Sequence, residues 1–156
     1  MTDPTTAAIA TGVIGAVFGT LYAAHQVADH WVQTSHQAGR KGDPGWTGRL
    51  ACLMHVLTYS LTALVALTFL GLASGLTRPP WQVTAGLAIS AVTHYIADRR
   101  TPLRRIAELI GSGGFYSLGT PRPGRDDNPS LGTGAYALDQ SWHVGWLFVA
   151  ALIIGA

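Results

Sequence analysis

The sequence predicts an all-α polytopic membrane protein, a four-transmembrane-helix bundle with one short interfacial amphipathic helix. Hydrophobic residues make up 48% of the 156-residue chain and charged residues only 12%, which is about half of the charged share of a typical soluble protein. The apolar residues are grouped in four long segments. A chain of this length fits a single domain, residues 1–156, with lipid as its main solvent.

The four apolar segments give the predicted spans. They cover approximately residues 7–31, 50–76, 81–97 and 135–156. Each is close to the ~17–25 residues that a helix needs to cross a bilayer. The first six residues contain an acid and no base, which does not favour a cleaved signal peptide.

The basic residues predict the orientation. Arg40, Lys41 and Arg49 lie between the first two spans, six arginines lie between the last two, and only Arg78 falls on the opposite side. Because cytoplasmic connections carry the excess of Lys and Arg, both long connections are expected in the cytoplasm and both termini outside. The protein is thus predicted to be a multi-pass protein of the plasma membrane. Its net charge of +2 reflects this topology and does not favour nucleic-acid binding.

The long last connection is predicted to contain the interfacial helix, at about residues 102–111. Thr101 is the expected N-cap and Pro102 the first helical residue. Apolar side chains then recur at helical spacing, at Leu103, Ile106, Ala107 and Ile110. Such an amphipathic helix is expected to lie on the inner leaflet. The Gly- and Pro-rich stretch that follows it, up to Gly134, could either cover the polar groups described next or contribute binding groups to them.

Seven ionisable side chains lie near one end of the predicted spans. They are His25, Asp29, His55, His94, Asp98, Asp139 and His143. Six of them form three pairs whose members are four residues apart, so that each pair shares one helix face. The predicted topology brings all seven to the cytoplasmic ends of four helices. Ionisable groups inside membrane segments are costly and mark functional sites.

These residue types predict a divalent metal site. Imidazole and carboxylate ligands suit zinc, and also manganese or iron, and helix bundles hold such ions between facing helices. Seven candidate ligands exceed the four of one tetrahedral ion, so one ion with supporting partners and two ions both stay open. A metal-free network of paired Asp and His is the alternative, which a single pair would favour but three pairs and a further histidine do not.

Four further residues are assigned supporting roles. Gln33 continues the stripe of His25 and Asp29 and is expected to orient a ligand, and Tyr59 lies one helical turn beyond His55 and could donate a hydrogen bond. Arg99 and Arg100 are expected to attract an anionic substrate. Topology and contact with lipid headgroups are the alternative explanation of both arginines.

The same stretches resemble a known group of sequences. HQVADHWVQ (25–33), HVLTY (55–59), HYIADR (94–99) and DQSWH (139–143) resemble a family of small multi-pass bacterial and phage membrane proteins classed as a domain of unknown function. They are more loosely similar to predicted membrane-bound metal-dependent hydrolases. The resemblance extends over approximately residues 24–146 and implies that the seven polar residues act as one unit.

The expected function is that of a metal-dependent hydrolase that acts on a phosphorylated or lipid-linked substrate at the cytoplasmic leaflet. Asp29, Asp98 or Asp139 is expected to be the general base, with a divalent ion that makes water a better nucleophile. The alternatives are a divalent metal sensor or transporter, and a non-enzymatic protein whose polar cluster stabilises the bundle. The expected partners are the bilayer and an anionic lipid or phosphorylated small molecule, and a homo-oligomer stays open.

Overall fold

The computed structural model describes residues 3–121, 124 and 132–156, and helices dominate this part of the chain. The long helices are α1 (Pro4–Val27), α3 (Gly45–Ser74), α4 (Pro80–Asp98) and α7 (Gly134–Gly155). A π-helical turn (Ala28–Val32) continues α1. The short helices are α2 (Ser35–Arg40), α5 (Thr101–Leu109) and α6 (Gly113–Tyr116). No β-strand occurs among the described residues.

Part of the predicted cytoplasmic connection lies outside the described residues. This applies to residues 122–123 and 125–131, which include Arg122 and Arg125 and most of the stretch that was expected to cover the polar groups or to contribute binding groups to them.

Local chemistry sets the ends of the long helices. The Asp3 carboxylate accepts a hydrogen bond from the Thr6 N–H at 3.2 Å, as an N-cap residue does. The Thr133 hydroxyl accepts one in the same way from the Tyr136 N–H at the start of α7. At the other end of α3, Gly75 has a φ of 72°, a left-handed conformation that stops the helix and suits glycine.

The start of α5 differs from the prediction. Thr101 was expected to be the N-cap, but it is the first helical residue, and Arg100 takes the position before the helix without a capping side-chain hydrogen bond. The cause is the closeness of α4, which ends at Asp98 and leaves only two residues for the connection.

Three helices are long and apolar enough to cross a membrane: Pro4–Val32, Gly45–Ser74 and Gly134–Gly155. Large apolar side chains lie on their outer faces, and on α3 Phe69 and Leu72 are 66% and 77% exposed. Such a surface suits a lipid environment, because soluble proteins rarely expose large apolar patches. The prediction of a membrane protein is supported to this extent.

The fourth predicted span corresponds to α4, which is not among these three helices. Its 19 residues include polar side chains at several levels, among them Gln82, Ser90 and Thr93. Ser90 and Thr93 are buried between the other helices. The number of spans and the interfacial position of α5 therefore stay predictions.

The four long helices pack around a shared apolar core. Helix α7 contacts both α4 and α1, and α3 contacts α1 and α4. Fully buried side chains fill the half of the bundle away from the polar residues, at Val17, Leu21, Ala63, Leu147, Ala150 and Ile154. Gly86 lets α4 approach α7 closely, since a Cβ atom there would lie 2.5 Å from the Ile154 side chain. This packing fixes the position of α4 relative to α7 along the bundle axis, and with it the position of the polar residues that the two helices carry.

Candidate metal centre

All seven residues predicted as ligands come together at one end of the bundle. His25 lies in the last turn of α1 and Asp29 in the π-helical turn, while His55 comes from α3. The ends of α4 and α7 supply the other four, His94, Asp98, Asp139 and His143. The four histidine side chains and that of Asp98 are almost inaccessible to solvent. Charged and polar groups buried in this way require partners.

The π-helical turn places Asp29. The Gln33 N–H donates to the Ala28 carbonyl at 2.8 Å, five residues earlier, so that the helix is locally wider than an α-helix. Such turns are rare and often occur at functional sites. Within this turn the Asp29 carboxylate keeps its contact with His25, at 3.7 Å between Oδ1 and Nδ1, and also reaches the histidines of α3 and α4.

Two histidines form the middle of the cluster. The Nε2 atoms of His55 and His94 are 3.0 Å apart. Asp98 Oδ2 lies 3.4 Å from the first and 3.2 Å from the second. Asp29 Oδ1 lies 3.4 Å and 3.7 Å from the same two nitrogen atoms. Two ligands that are each about 2.0–2.1 Å from one tetrahedral ion are about 3.3 Å apart, so these separations fit a coordination shell.

The remaining candidate ligands flank this pair. His143 Nδ1 lies 2.8 Å from the Asp139 carbonyl oxygen, to which it donates its proton, so that Nε2 carries the lone pair that a metal ion needs. One ligand atom each from Asp98, Asp139 and His143 lies within 4.8 Å of the other two, and the same holds for His25, Asp29 and His94. The rings of His25 and His143 are stacked with their centroids 4.9 Å apart.

Buried atoms without a hydrogen-bond partner test whether this cluster fits a metal. In folded proteins nearly all buried polar side-chain atoms are paired. Here several potential ligand atoms are not: both ring nitrogens of His25, Asp29 Oδ1, Asp98 Oδ2 and His143 Nε2. A closed Asp–His hydrogen-bond network would leave few such atoms, whereas a divalent cation would satisfy the two carboxylate oxygens, His143 Nε2 and the one nitrogen of His25 that carries a lone pair. The residues therefore fit a metal ion, although they do not identify it.

The structure adds Lys41 to the site, a residue that the sequence reasoning did not assign to it. The Lys41 ammonium lies 2.7 Å from Asp98 Oδ1, with the lysine side chain only 14% exposed. Asp98 thus faces a cation with one oxygen and the two histidines with the other. Lys41 follows α2 in a connection without periodicity, so the spacing rules that identified the other residues gave no signal for it.

Tyr59 and Gln33, which were predicted to assist the ligands, both lie beside the cluster. The Tyr59 hydroxyl is 2.5 Å from the Ser90 hydroxyl, and it is the phenol ring that lies against the His94 ring, at 4.2 Å between centroids. The contact between Tyr59 and the candidate ligand His94 is therefore one of ring packing, and the Tyr59 hydroxyl pairs with Ser90. Gln33 ends the π-helical turn with an extended backbone, and its buried side-chain nitrogen has no partner.

A cavity of about 820 Å³ opens directly above the cluster. Its lining includes the three carboxylates of the site, Asp29, Asp98 and Asp139, together with Gln33 and Gln140. Gln140, which was not predicted to belong to the site, donates from Nε2 to Asp139 Oδ2 at 3.3 Å. A molecule of moderate size in this cavity would meet the carboxylates of the metal centre.

The two arginines predicted to bind an anion lie in different places. Arg99 donates from its guanidinium to the Lys41 and Asp43 carbonyl oxygens, at 2.7 Å and 2.6 Å, and holds the connection before α3. Arg100 lines the cavity. The predicted substrate role therefore suits Arg100 better than Arg99.

Comparison of the chain with protein-family models, with curated proteins and with solved structures gives no match. The resemblance suggested by the four motifs stays a prediction.

Proposed function

We propose that this protein is a membrane-embedded, metal-dependent hydrolase that acts on a phosphorylated or lipid-linked substrate. The observation that carries the proposal is the convergence of the His55 and His94 Nε2 atoms, 3.0 Å apart, with carboxylates that also line a cavity large enough for a substrate. A divalent ion bound there would polarise an ester and make water a better nucleophile. Zinc is the first ion to test, followed by manganese and iron.

The carboxylates divide into holding and proton-accepting roles in this proposal. Asp29 Oδ1 and Asp98 Oδ2 face the histidine pair and hold the ion with it. Asp139 has the most accessible carboxylate of the three, with 27% of its side chain exposed. It contacts the cavity and is the best placed to take a proton from an attacking water, the task of a general base.

The distribution of basic residues supports a site that faces the cytoplasm. Lys41, Arg99 and Arg100 lie beside the site, whereas Arg78 lies at the far end of the bundle, where its guanidinium donates to the Ile154 carbonyl. By the positive-inside rule the site would open to the cytoplasm, with four spans and both termini outside. A phospholipid headgroup or lipid-linked phosphate would be at the right depth.

Transport is less well supported. A transporter needs polar groups through both leaflets. Below the Tyr59–Ser90 pair, the buried core of the described residues is apolar, at Val17, Leu21, Ala63, Leu147 and Ile154. Metal sensing and a purely structural role for the cluster stay as the alternatives.

The test is elemental analysis of the detergent-purified protein together with hydrolysis of soluble and lipid phosphoesters. We expect one or two divalent ions per chain in the wild type and their loss in His55→Ala and Asp98→Ala. His36→Ala, a change at an exposed histidine outside the cluster, is the matched control and should keep the metal.

The two parts of the proposal can fail separately. Asp139→Asn should retain an ion at the His55–His94 pair yet lower hydrolysis by about 10²–10⁴-fold, the usual contribution of a general base. If the wild type binds metal and the variants lose it as expected, but no phosphoester is hydrolysed, the site would be that of a metal sensor or of a structural ion. Absence of metal from a folded wild type, with unchanged unfolding temperatures in the variants, would overturn the metal centre.

A further inference from the structure

The backbone of Arg100 adopts a conformation that residues other than glycine rarely adopt. Its φ is 58° and its ψ is −51°, and no other described non-glycine residue has a positive φ. The Thr101 N–H donates to the Arg99 carbonyl at 2.6 Å, which closes a three-residue γ-turn centred on Arg100. This form of the γ-turn is rare and strained. Such strain persists only where the surrounding structure enforces it, and it is concentrated at functional sites.

Because of the γ-turn, the side chains of Arg99 and Arg100 point in different directions. The Arg99 guanidinium is bound to the carbonyl oxygens of Lys41 and Asp43. The Arg100 side chain instead crosses Gly42, where a Cβ atom would lie 2.8 Å from the Arg100 Cδ and 3.0 Å from its Nε. Gly42 therefore leaves the space through which the Arg100 side chain reaches the cavity. Arg99 thus anchors the connection before α3, and the Arg100 side chain packs against Gly42 in that same connection.

Groups suited to an anion surround this end of the cavity. Arg100, Lys41 and Tyr116 all line it, beside Asp98 and Asp139. The Tyr116 phenol is protonated at neutral pH, as an ordinary tyrosine is, and can donate a hydrogen bond; burial raises its pKa further. A guanidinium presents a planar fork of N–H donors that matches two oxygens of a phosphate group.

We propose that Arg100, Lys41 and Tyr116 form a phosphate-binding subsite that presents a phosphate ester to the metal centre. This inference depends on the proposed function and narrows its substrate class from phosphorylated or lipid-linked molecules to phosphate esters. The Arg100 γ-turn and Gly42 position the guanidinium before the substrate arrives. The apolar part of the lining, at Ala97, Leu103 and Ala135, gives room for the alcohol portion of the ester.

The first test is the binding of inorganic phosphate to the full chain in detergent, measured by calorimetry, with the metal content of each sample determined in parallel. Arg100→Gln should weaken phosphate binding about tenfold or more, the loss expected for a charge-assisted bidentate contact. Arg105→Gln makes the same charge change on the exposed face of α5 and should weaken it by less than about twofold. Equal binding by these two variants, with metal retained, would overturn the subsite.

A double-mutant cycle tests the positioning by Gly42. Gly42→Ala places a methyl group against the Arg100 side chain and should weaken phosphate binding in the wild-type background. It should have little further effect in Arg100→Gln, because the two changes would act through the same contact. Additive effects would show that Gly42 acts elsewhere and would overturn the positioning role.

A competition experiment distinguishes a lipid phosphate from a soluble phosphate ester as the occupant of the subsite. A soluble phosphomonoester is first bound to the reconstituted protein, and each lipid is then added as a competitor. Displacement of the phosphomonoester by dioleoyl phosphatidic acid, but not by dioleoyl phosphatidylcholine, would identify a lipid phosphate as the occupant. Displacement by neither lipid would identify a soluble phosphate ester. Either result supports the subsite if the Arg100→Gln variant no longer binds the phosphomonoester. Phosphate binding that depends on Arg100 in a protein without metal would leave the subsite intact while the hydrolase proposal failed.

Discussion

The Nε2 atoms of His55 and His94 lie 3.0 Å apart at the centre of four helices. If either nitrogen carries a proton it can donate that proton to only one neighbour. If one nitrogen donates to the other, two further lone-pair-bearing atoms, Asp29 Oδ1 and Asp98 Oδ2, still converge on the same small volume. Such a convergence is unfavourable without a shared cation, which is why this contact is the strongest argument for a metal.

Lys41 supplies a positive charge on only one side of this arrangement. Its ammonium pairs with Asp98 Oδ1, whereas Oδ2 has no hydrogen-bond partner. A single carboxylate would then be shared between a permanent ammonium and an exchangeable divalent ion. The stability of the protein should consequently depend on both cations together.

Lys41→Met tests this dependence. Removing one member of a buried pair leaves an uncompensated charge and costs about 3–5 kcal/mol. Because Lys41 keeps 14% exposure, we expect a smaller loss of unfolding free energy, about 1–3 kcal/mol, in protein treated with a chelator. Saturating zinc should reduce the loss, since the ion also neutralises Asp98. Thermal unfolding in detergent, with and without chelator, measures both effects.

Arg105→Met is the control for this substitution, because it removes an exposed charge outside the cavity. Its unfolding temperature should be close to that of the wild type under both conditions. A Lys41→Met variant as stable as Arg105→Met in the chelator would show that the pair with Asp98 contributes nothing.

Two substitutions of Tyr59 separate its packing from its hydroxyl. Tyr59→Phe breaks the hydrogen bond with Ser90 but keeps the ring against His94, so it should cost about 1 kcal/mol of stability and retain the metal. Tyr59→Ala removes a fully buried ring and should cost about 3–5 kcal/mol, with weaker metal affinity because His94 loses its support. Metal lost equally in both variants would assign the support to the hydroxyl instead.

Helix positions and the seven candidate ligands could be predicted because both follow regular spacing. Apolar segments of membrane-spanning length predicted the regions of α1, α3 and α7, and pairs such as His94 and Asp98 share a face in any α-helix. The segment 81–97 likewise predicted the region of α4, but a membrane-spanning role for α4 stays a prediction, because the polar side chains that it buries between its neighbours, such as Ser90, lower its apolar character.

Features without periodicity could not be predicted. Lys41 lies in a connection, and no spacing links it to Asp98. The separate directions of Arg99 and Arg100 depend on a γ-turn that forms because α4 and α5 are only two residues apart. The π-helical turn at Asp29 is also set by tertiary contacts, since local sequence favours an ordinary α-helix there.

Labelling of introduced cysteines tests the predicted orientation. The single native cysteine, Cys52, is fully buried and should give little background. Ser117→Cys lies on the side of the polar cluster and Ser74→Cys at the opposite end of α3, both exposed. By the positive-inside rule, an impermeant maleimide should label Ser117→Cys only from the cytoplasm and Ser74→Cys only from outside. The reverse pattern would invert the topology and move the site to the outer face.

The tautomer of His143 gives a prediction that does not depend on activity. Its Nδ1 donates to the Asp139 carbonyl at 2.8 Å, so the neutral ring should carry its proton on Nδ1 and leave Nε2 free. Nitrogen-15 NMR of histidine-labelled protein should show this tautomer, with the Nε2 resonance shifting when zinc or cadmium is added. A His143→Ala spectrum identifies the signal. A proton on Nε2 in the metal-free protein, unaffected by added ion, would remove His143 from the ligand set.

Close packing of α4 against α7 should control the site from a distance. Gly86→Ala would place a Cβ 2.5 Å from the Ile154 side chain and 3.1 Å from the Ala150 carbonyl oxygen, and such overpacking costs about 1–3 kcal/mol. Metal affinity should fall as well, because separating the helices moves His94 from His143. Gly145→Ala is the matched control, since nothing lies within 4 Å of its Cβ position and alanine stabilises a helix by about 1 kcal/mol relative to glycine. Loss of stability in both variants, or unchanged metal affinity in Gly86→Ala, would show that metal binding does not depend on the close packing of α4 against α7.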